Sequence, residues 1–160
     1  MAHSEEFIHR AIEYLIHEWA RAIDEGRLED LSGLLTADAE YRLASRFNAD
    51  RGLPVAIVHT RSAAQLRDRI VSARVANVYE RHHVRHLVTG IQIIGAADGV
   101  FEARSNFAVI RTMEHDGRME IFASGQYRDT IVFENEAPRF RRREAIFDSR
   151  AIDTLLVYPI

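Results

Sequence analysis

Cysteine and lysine are both missing from this chain of 160 residues. Without cysteine there is no thiol nucleophile and no cysteine-ligated zinc. Nor can this chain alone hold an iron–sulfur cluster, because all of these need sulfur ligands. Without lysine there is no Schiff base, no lysine general base and no P-loop lysine. All 21 basic residues are arginine, whose planar fork binds carboxylates through paired N–H bonds and suits buried or interfacial ion pairs. Excess positive charge is absent too. A net charge of -3 and a pI near 6.2 leave no electrostatic footprint for nucleic acid. No apolar run approaches the ~18 residues of a membrane-spanning helix. The polar start Met1-Ala2-His3-Ser4-Glu5-Glu6 reads as no targeting signal. The expectation is a soluble cytoplasmic protein that meets neither membrane nor nucleic acid.

What is present is a regular apolar pattern, 47% of residues, enough for a single domain over 1–160 with its own core. Ile8, Ile12, Leu15, Ile16, Trp19 and Ile23 share one helical face, with Glu13, Glu18, Arg21 and Asp24 opposite. Ser4 stands where an N-cap belongs and Gly26 where a terminating glycine belongs. A short Leu-rich helix follows through Leu28, Leu31, Leu34 and Leu35, then a strand over 40–47. Asp50, Gly52 and Pro54 mark a loop. Ser62 and Gln65 open a further helix in capping-box spacing, with Leu66, Ile70, Ala73 and Val75 on its inner side. Strands over 84–95, 100–114, 119–134 and 139–149 follow, joined by turns at Asp98-Gly99, Asp116-Gly117 and 135–138. Helices first and long strands afterwards predict an α+β fold. Strands this long must curl, so the fold is an NTF2-like cone-shaped barrel, N-terminal helices packed on a curled antiparallel sheet.

Several stretches carry a family resemblance. They are Asp50-Arg51-Gly52-Leu53-Pro54, Asp68-Arg69-Ile70, Ala76-Asn77-Val78-Tyr79-Glu80 and Arg85-His86-Leu87-Val88. The strand Arg104-Ser105-Asn106-Phe107-Ala108-Val109-Ile110-Arg111-Thr112 follows, then Phe122-Ala123-Ser124-Gly125-Gln126-Tyr127-Arg128-Asp129, and Asp148-Ser149-Arg150-Ala151-Ile152-Asp153-Thr154-Leu155-Leu156. In this order they resemble the small (beta) subunit of aromatic-ring-hydroxylating dioxygenases, in the branch acting on benzoate, anthranilate or terephthalate. The resemblance implies a non-catalytic, structural subunit. Its large (alpha) partner carries a Rieske [2Fe-2S] cluster and a mononuclear iron, and electrons come from NADH through a reductase. It also implies a hexamer with three copies of each chain, in which this chain self-associates as a trimer. The product is a cis-dihydrodiol. A Rieske centre needs two cysteines beside two histidines, so the missing sulfur is consistent with that division of labour.

Candidate chemistry concentrates in two places. In His82-His83-Val84-Arg85-His86 a strand puts His82 and His86 on one face and His83 and Arg85 on the other. Glu80 shares the first face, so a Glu80/His82/His86 triad is one arrangement, and hydrogen-bonding or interface roles are the plainer one. Inside the cone, Tyr14, Tyr41, His59, His86 and Asp129 are the polar groups expected to approach a cavity. There they would serve either acid–base chemistry or simple packing. For a subunit interface the candidates are His82, Arg85, Arg141, Arg143 and Tyr158. Arg139, Arg141 and Arg143 are read as one exposed face of the last strand, and the apolar segment 152–160 as packed. The alternatives to a dioxygenase subunit are a stand-alone NTF2-like isomerase, dehydratase or small-molecule binder, and a self-associating scaffold.

Overall fold

In the computed structural model, residues 4–76, 80–150, 152 and 159–160 are described. Helix α1, Glu5–Asp24, starts where the Ser4 hydroxyl accepts from the Phe7 amide at 3.2 Å, and Gly26 leaves it at φ +72°. A 3-10 helix, Leu28–Leu34, leads into β1, Leu35–Ser45, which begins earlier than the sequence pattern suggests. The following loop carries a one-turn helix α2, Arg46–Asp50, capped by Ser45, and a short β2, Val58–Thr60. Helix α3, Ala63–Ala76, is opened by Ser62, whose hydroxyl accepts from Gln65 N–H at 3.1 Å. Leu66, Ile70 and Ala73 face inward as the spacing predicts, but Val75 is 85% exposed. Four long strands complete the sheet: β3, His82–Ala97; β4, Val100–Met113; β5, Met119–Glu134; and β6, Ala137–Phe147.

The strand order is β2-β1-β6-β5-β4-β3. The ladder from β3 to β6 is antiparallel, as expected of successive hairpins. The sheet as a whole is mixed, however, because β1 lies parallel to β6. Hairpin pairing consumes one edge of β6 and leaves the other free. The earlier strand β1 docks on that edge, and β2 folds back on β1 antiparallel. Among the described residues the sheet does not close into a barrel, since β2 and β3 are its edges. Bulges interrupt the ladders at Thr89/Gln92, Ile93/Gly95, Val109/Ile110 and Thr130/Ile131, and each increases local bend and twist.

The concave face is filled by α1. Ile12, Leu15, Ile16, Trp19 and Ile23 pack with Leu28, Leu31, Tyr41, Leu66, Phe107, Tyr127 and Phe140 in one hydrophobic cluster. Trp19 lies edge-on to Phe140 at 5.7 Å and against Tyr41 at 5.4 Å between centroids. Its Nε1–H donates to the Ile160 carbonyl at 3.2 Å, and the Tyr41 hydroxyl both donates to that carbonyl and accepts from the Ile160 amide. Ile152, Pro159 and Ile160 are therefore packed, as predicted for the tail, while 153–158 lie outside the described residues. No described helix is long and apolar enough to cross a membrane.

At Gly125 the backbones of β5 and β6 approach so closely that a Cβ would sit 1.9 Å from the Ile146 carbonyl oxygen. The obstacle is main chain, which no rotamer change relieves. Gly125→Ala is expected to destabilise the fold by about 3 kcal/mol, the upper range for overpacking. Chemical denaturation would check this, and an unchanged midpoint would contradict it.

Candidate functional site

Arginine 143 is fully buried. The antiparallel register shifts between Thr130 and Ile131, so Phe140 pairs with Ile131 while Arg142 pairs with Thr130, leaving Arg141 as the extra residue. Inserting one residue reverses the alternation of faces. Phe140 points inward, and beyond the bulge Arg143, Ala145 and Phe147 point inward as well. Arg141 and Arg143 therefore do not share an exposed face. The first is exposed, and the second lies in the core and is unavailable to a partner subunit.

Register then builds a polar row across the inner face. Thr60 pairs with Tyr41, Tyr41 with Arg143, Arg143 with Asp129 and Asp129 with Ala103. Arg143 Nη1–H donates to Asp129 Oδ2 at 2.9 Å, and neither side chain has solvent exposure. The guanidinium also packs on aromatic rings, with its Cζ 3.8 Å from the Tyr127 centroid, 4.4 Å from Phe140 and 5.1 Å from Trp19. Burial pushes the Asp129 carboxyl up to about 7, with Arg143 offsetting part of the rise. Burial likewise pushes the Tyr127 hydroxyl up to about 12 and raises that of Tyr41. Several polar atoms of this row and the next have no hydrogen-bond partner among the described residues. They are Thr60 Oγ1, Ser105 Oγ, Tyr127 Oη, Asp129 Oδ1 and Arg143 Nε and Nη2.

A second buried pair joins α1 to β3. The Asp24 carboxylate accepts from the His86 backbone N–H at 3.0 and 3.1 Å and from its Nδ1 at 2.6 Å. That contact puts the proton on Nδ1 and leaves the buried Nε2 unpartnered among the described residues. Sequence periodicity puts Asp24 on the solvated side of α1, yet its side chain is nearly buried. One signal was there to read: an acid in the last turn opposes the helix dipole, so another interaction must hold it.

His59, His82, His83 and His115 have separate contacts. His82 and His86 do share a face, with His83 and Arg85 opposite. His82 Nδ1 meets the Glu80 carbonyl at 2.8 Å, whereas the Glu80 carboxylate pairs with His115 Nδ1 at 2.8 Å. Glu80, His82 and His86 are thus not brought together, and no cluster among the described residues has the makings of a metal site.

A protein-family model described as the SnoaL-like domain matches residues 8–144. The anthranilate 1,2-dioxygenase small subunit of Burkholderia cepacia is 38% identical over 86% of this chain and 85% of its own length. The beta 2 subunit of the terminal oxygenase component of terephthalate 1,2-dioxygenase from Comamonas is 37% identical, over 89% of this chain and 92% of its own. A crystal structure from Novosphingobium aromaticivorans, the beta subunit of a proposed aromatic-ring-hydroxylating dioxygenase, superposes with a TM-score of 0.87. It is 30% identical and covers 97% of this chain and 98% of that one. The chain belongs to the small-subunit family of aromatic-ring-hydroxylating dioxygenases.

Within this small subunit the sequence-predicted cavity set divides. Tyr41, His86 and Asp129 are buried on the inner face. Tyr14 is 68% exposed, because it sits on α1 between the inward-facing turns of Ile12 and Leu15. His59 also faces outward: it is the middle residue of the three-residue strand β2, and its Nε2 meets Glu40 at 2.7 Å. Of the interface candidates, Arg85 and Arg141 are exposed and His82 is half-buried, whereas Tyr158 lies outside the described residues. The small subunit also contains buried polar residues that periodicity did not single out: Asp24, Thr60, Ser105 and Tyr127.

The Asp129 carboxyl binds its proton more tightly in the fold than its ordinary value of 3.8. Its contribution to stability is therefore complete below about pH 4 and is lost as pH rises through about 7. Asp129→Asn should flatten the dependence of the denaturation midpoint on pH between about 4 and 7. It should leave stability at low pH nearly unchanged, because the amide is as neutral as the protonated carboxyl and keeps an oxygen that can accept from Arg143. An unchanged pH slope in this variant would assign the dependence to other groups.

Proposed function

We propose that this chain is the non-catalytic small subunit of a Rieske-type dioxygenase that converts an aromatic carboxylate or related aromatic into a cis-dihydrodiol. The observation that carries this is identity above one third with two dioxygenase small subunits, along nearly the full length of each chain. The large subunit holds the [2Fe-2S] cluster and the mononuclear iron, and electrons come from NADH through a reductase. This chain, folded as one domain over 1–160, assembles the oxygenase in the cytoplasm. The absence of cysteine supports that division, since a Rieske centre requires two.

The convex face supports an assembly role. Arg85 pairs with Ile110 and Ile110 with Ile121, while His83, Thr112 and Met119 form the adjoining row and Leu87 and Ala108 the next. Ile121 is 74% exposed, and Met119 and Leu87 are also exposed. An apolar patch of this kind beside an arginine fits a protein interface. We assign this patch to contacts between copies in a trimer, and the exposed Arg141 to the large subunit.

Co-expression with a Rieske-type large subunit tests the reading. A stable red-brown hexamer with oxygenase activity is expected, and Ile121→Asp should release a folded monomer on sedimentation. Arg141→Glu should weaken retention of the large subunit, most clearly at low salt. Turnover of an aromatic substrate by this chain alone, or failure to associate with any Rieske-type partner, would sink the proposal.

A further inference from the structure

We propose that the Nε/Nη2 edge of Arg143 is a carboxylate-binding site inside the sheet. A guanidinium carries five N–H donors, and its Nε and Nη2 form the edge that grips a carboxylate through two parallel bonds. In this chain Nη1 is committed to Asp129, and the rings of Tyr127, Phe140 and Trp19 pack around the group. The bidentate edge is wholly buried and makes no hydrogen bond of ordinary geometry among the described residues, although the Tyr127 hydroxyl lies near enough to interact with the guanidinium. Leaving charged donors unmatched away from water is costly, so the fold is built around a group that satisfies them.

The surroundings narrow the chemistry. The buried hydroxyls of Ser105 and Tyr127 occupy directly opposed positions on β4 and β5, in the row beside Asp129 and Arg143. Hydroxyls donate to an oxyanion as readily as N–H groups do. An ionised Asp129 would repel an incoming carboxylate. Its burial favours the protonated form, which lets Oδ1 join as a further donor instead. A compact monocarboxylate therefore fits better than a cation, which would meet Arg143, or a neutral amide, which cannot match the fork. This inference concerns the isolated chain and does not depend on the large subunit.

The test uses the full chain on its own, titrated with sodium acetate, sodium benzoate and benzamide while the Arg143 Nε–Hε resonance is followed by NMR. The carboxylates should shift that resonance saturably at millimolar concentrations, and benzamide should bind at least about tenfold more weakly. Acetate binding without benzoate would restrict the site to small aliphatic acids; binding of both would extend it to aromatic acids. Tyr127→Phe and Ser105→Ala preserve packing and should each weaken binding several-fold, so the outcome does not hinge on an Arg143 variant that fails to fold. A crystal structure with the tighter carboxylate should show it seated on Nε and Nη2. No saturable shift up to roughly 20 mM, equal binding of benzamide, or a water or another part of the chain on that edge would overturn the proposal.

Discussion

One buried cation organises the inner face of this protein. Arg143 bonds Asp129 on the neighbouring strand and stacks on three aromatic rings, one of them from α1. One carboxyl oxygen and the ring faces offset part of the cost of burying a guanidinium this deep. Helix and sheet are thereby held in register by a directional contact, where apolar packing alone would accept small slips. Trp19 takes part twice, once against Arg143 and once through its hydrogen bond to Ile160.

Placement of that cation depends on one extra residue. Without the bulge at Arg141, strict alternation from Phe140 would turn Arg143 to the outside and Arg142 inward. A reading by periodicity sees three arginines at even spacing and takes them for a solvated stripe. The bulge leaves no mark in composition, since its residue is as polar as its neighbours. Local pattern exposed the elements themselves well: the α1 stripe, the Ser4 and Ser62 caps and the two glycine turns stand where the spacing put them. Pairing was legible for the hairpins and illegible for β1 and β6, whose parallel contact is set by which edge remains free.

The site was legible residue by residue rather than as a constellation. Tyr41, His86 and Asp129 are recognisable as polar residues on apolar strands, and burial follows. Their partners come from elsewhere in the chain, Asp24 across 62 residues to His86 and Arg143 past a bulge. No spacing rule links such positions. Tyr14 shows the reverse error, an aromatic residue that sits beside the apolar stripe of its helix without belonging to it.

The parallel union of β1 with β6 also orders events in time. Arg42 finds Glu144 at 2.8 Å across 102 positions of sequence. At synthesis rates of roughly 5–20 residues per second, β1 waits about 5–20 seconds for its neighbour to be made. Throughout that interval β1, with Tyr41 and Leu43 on its inner face, has only the three-residue β2 to pair with. Contacts of such long range slow the search for the native arrangement. The nascent chain therefore passes through a stage in which one edge of β1 is open to chaperones, and the last strand acts as the clasp that ends it.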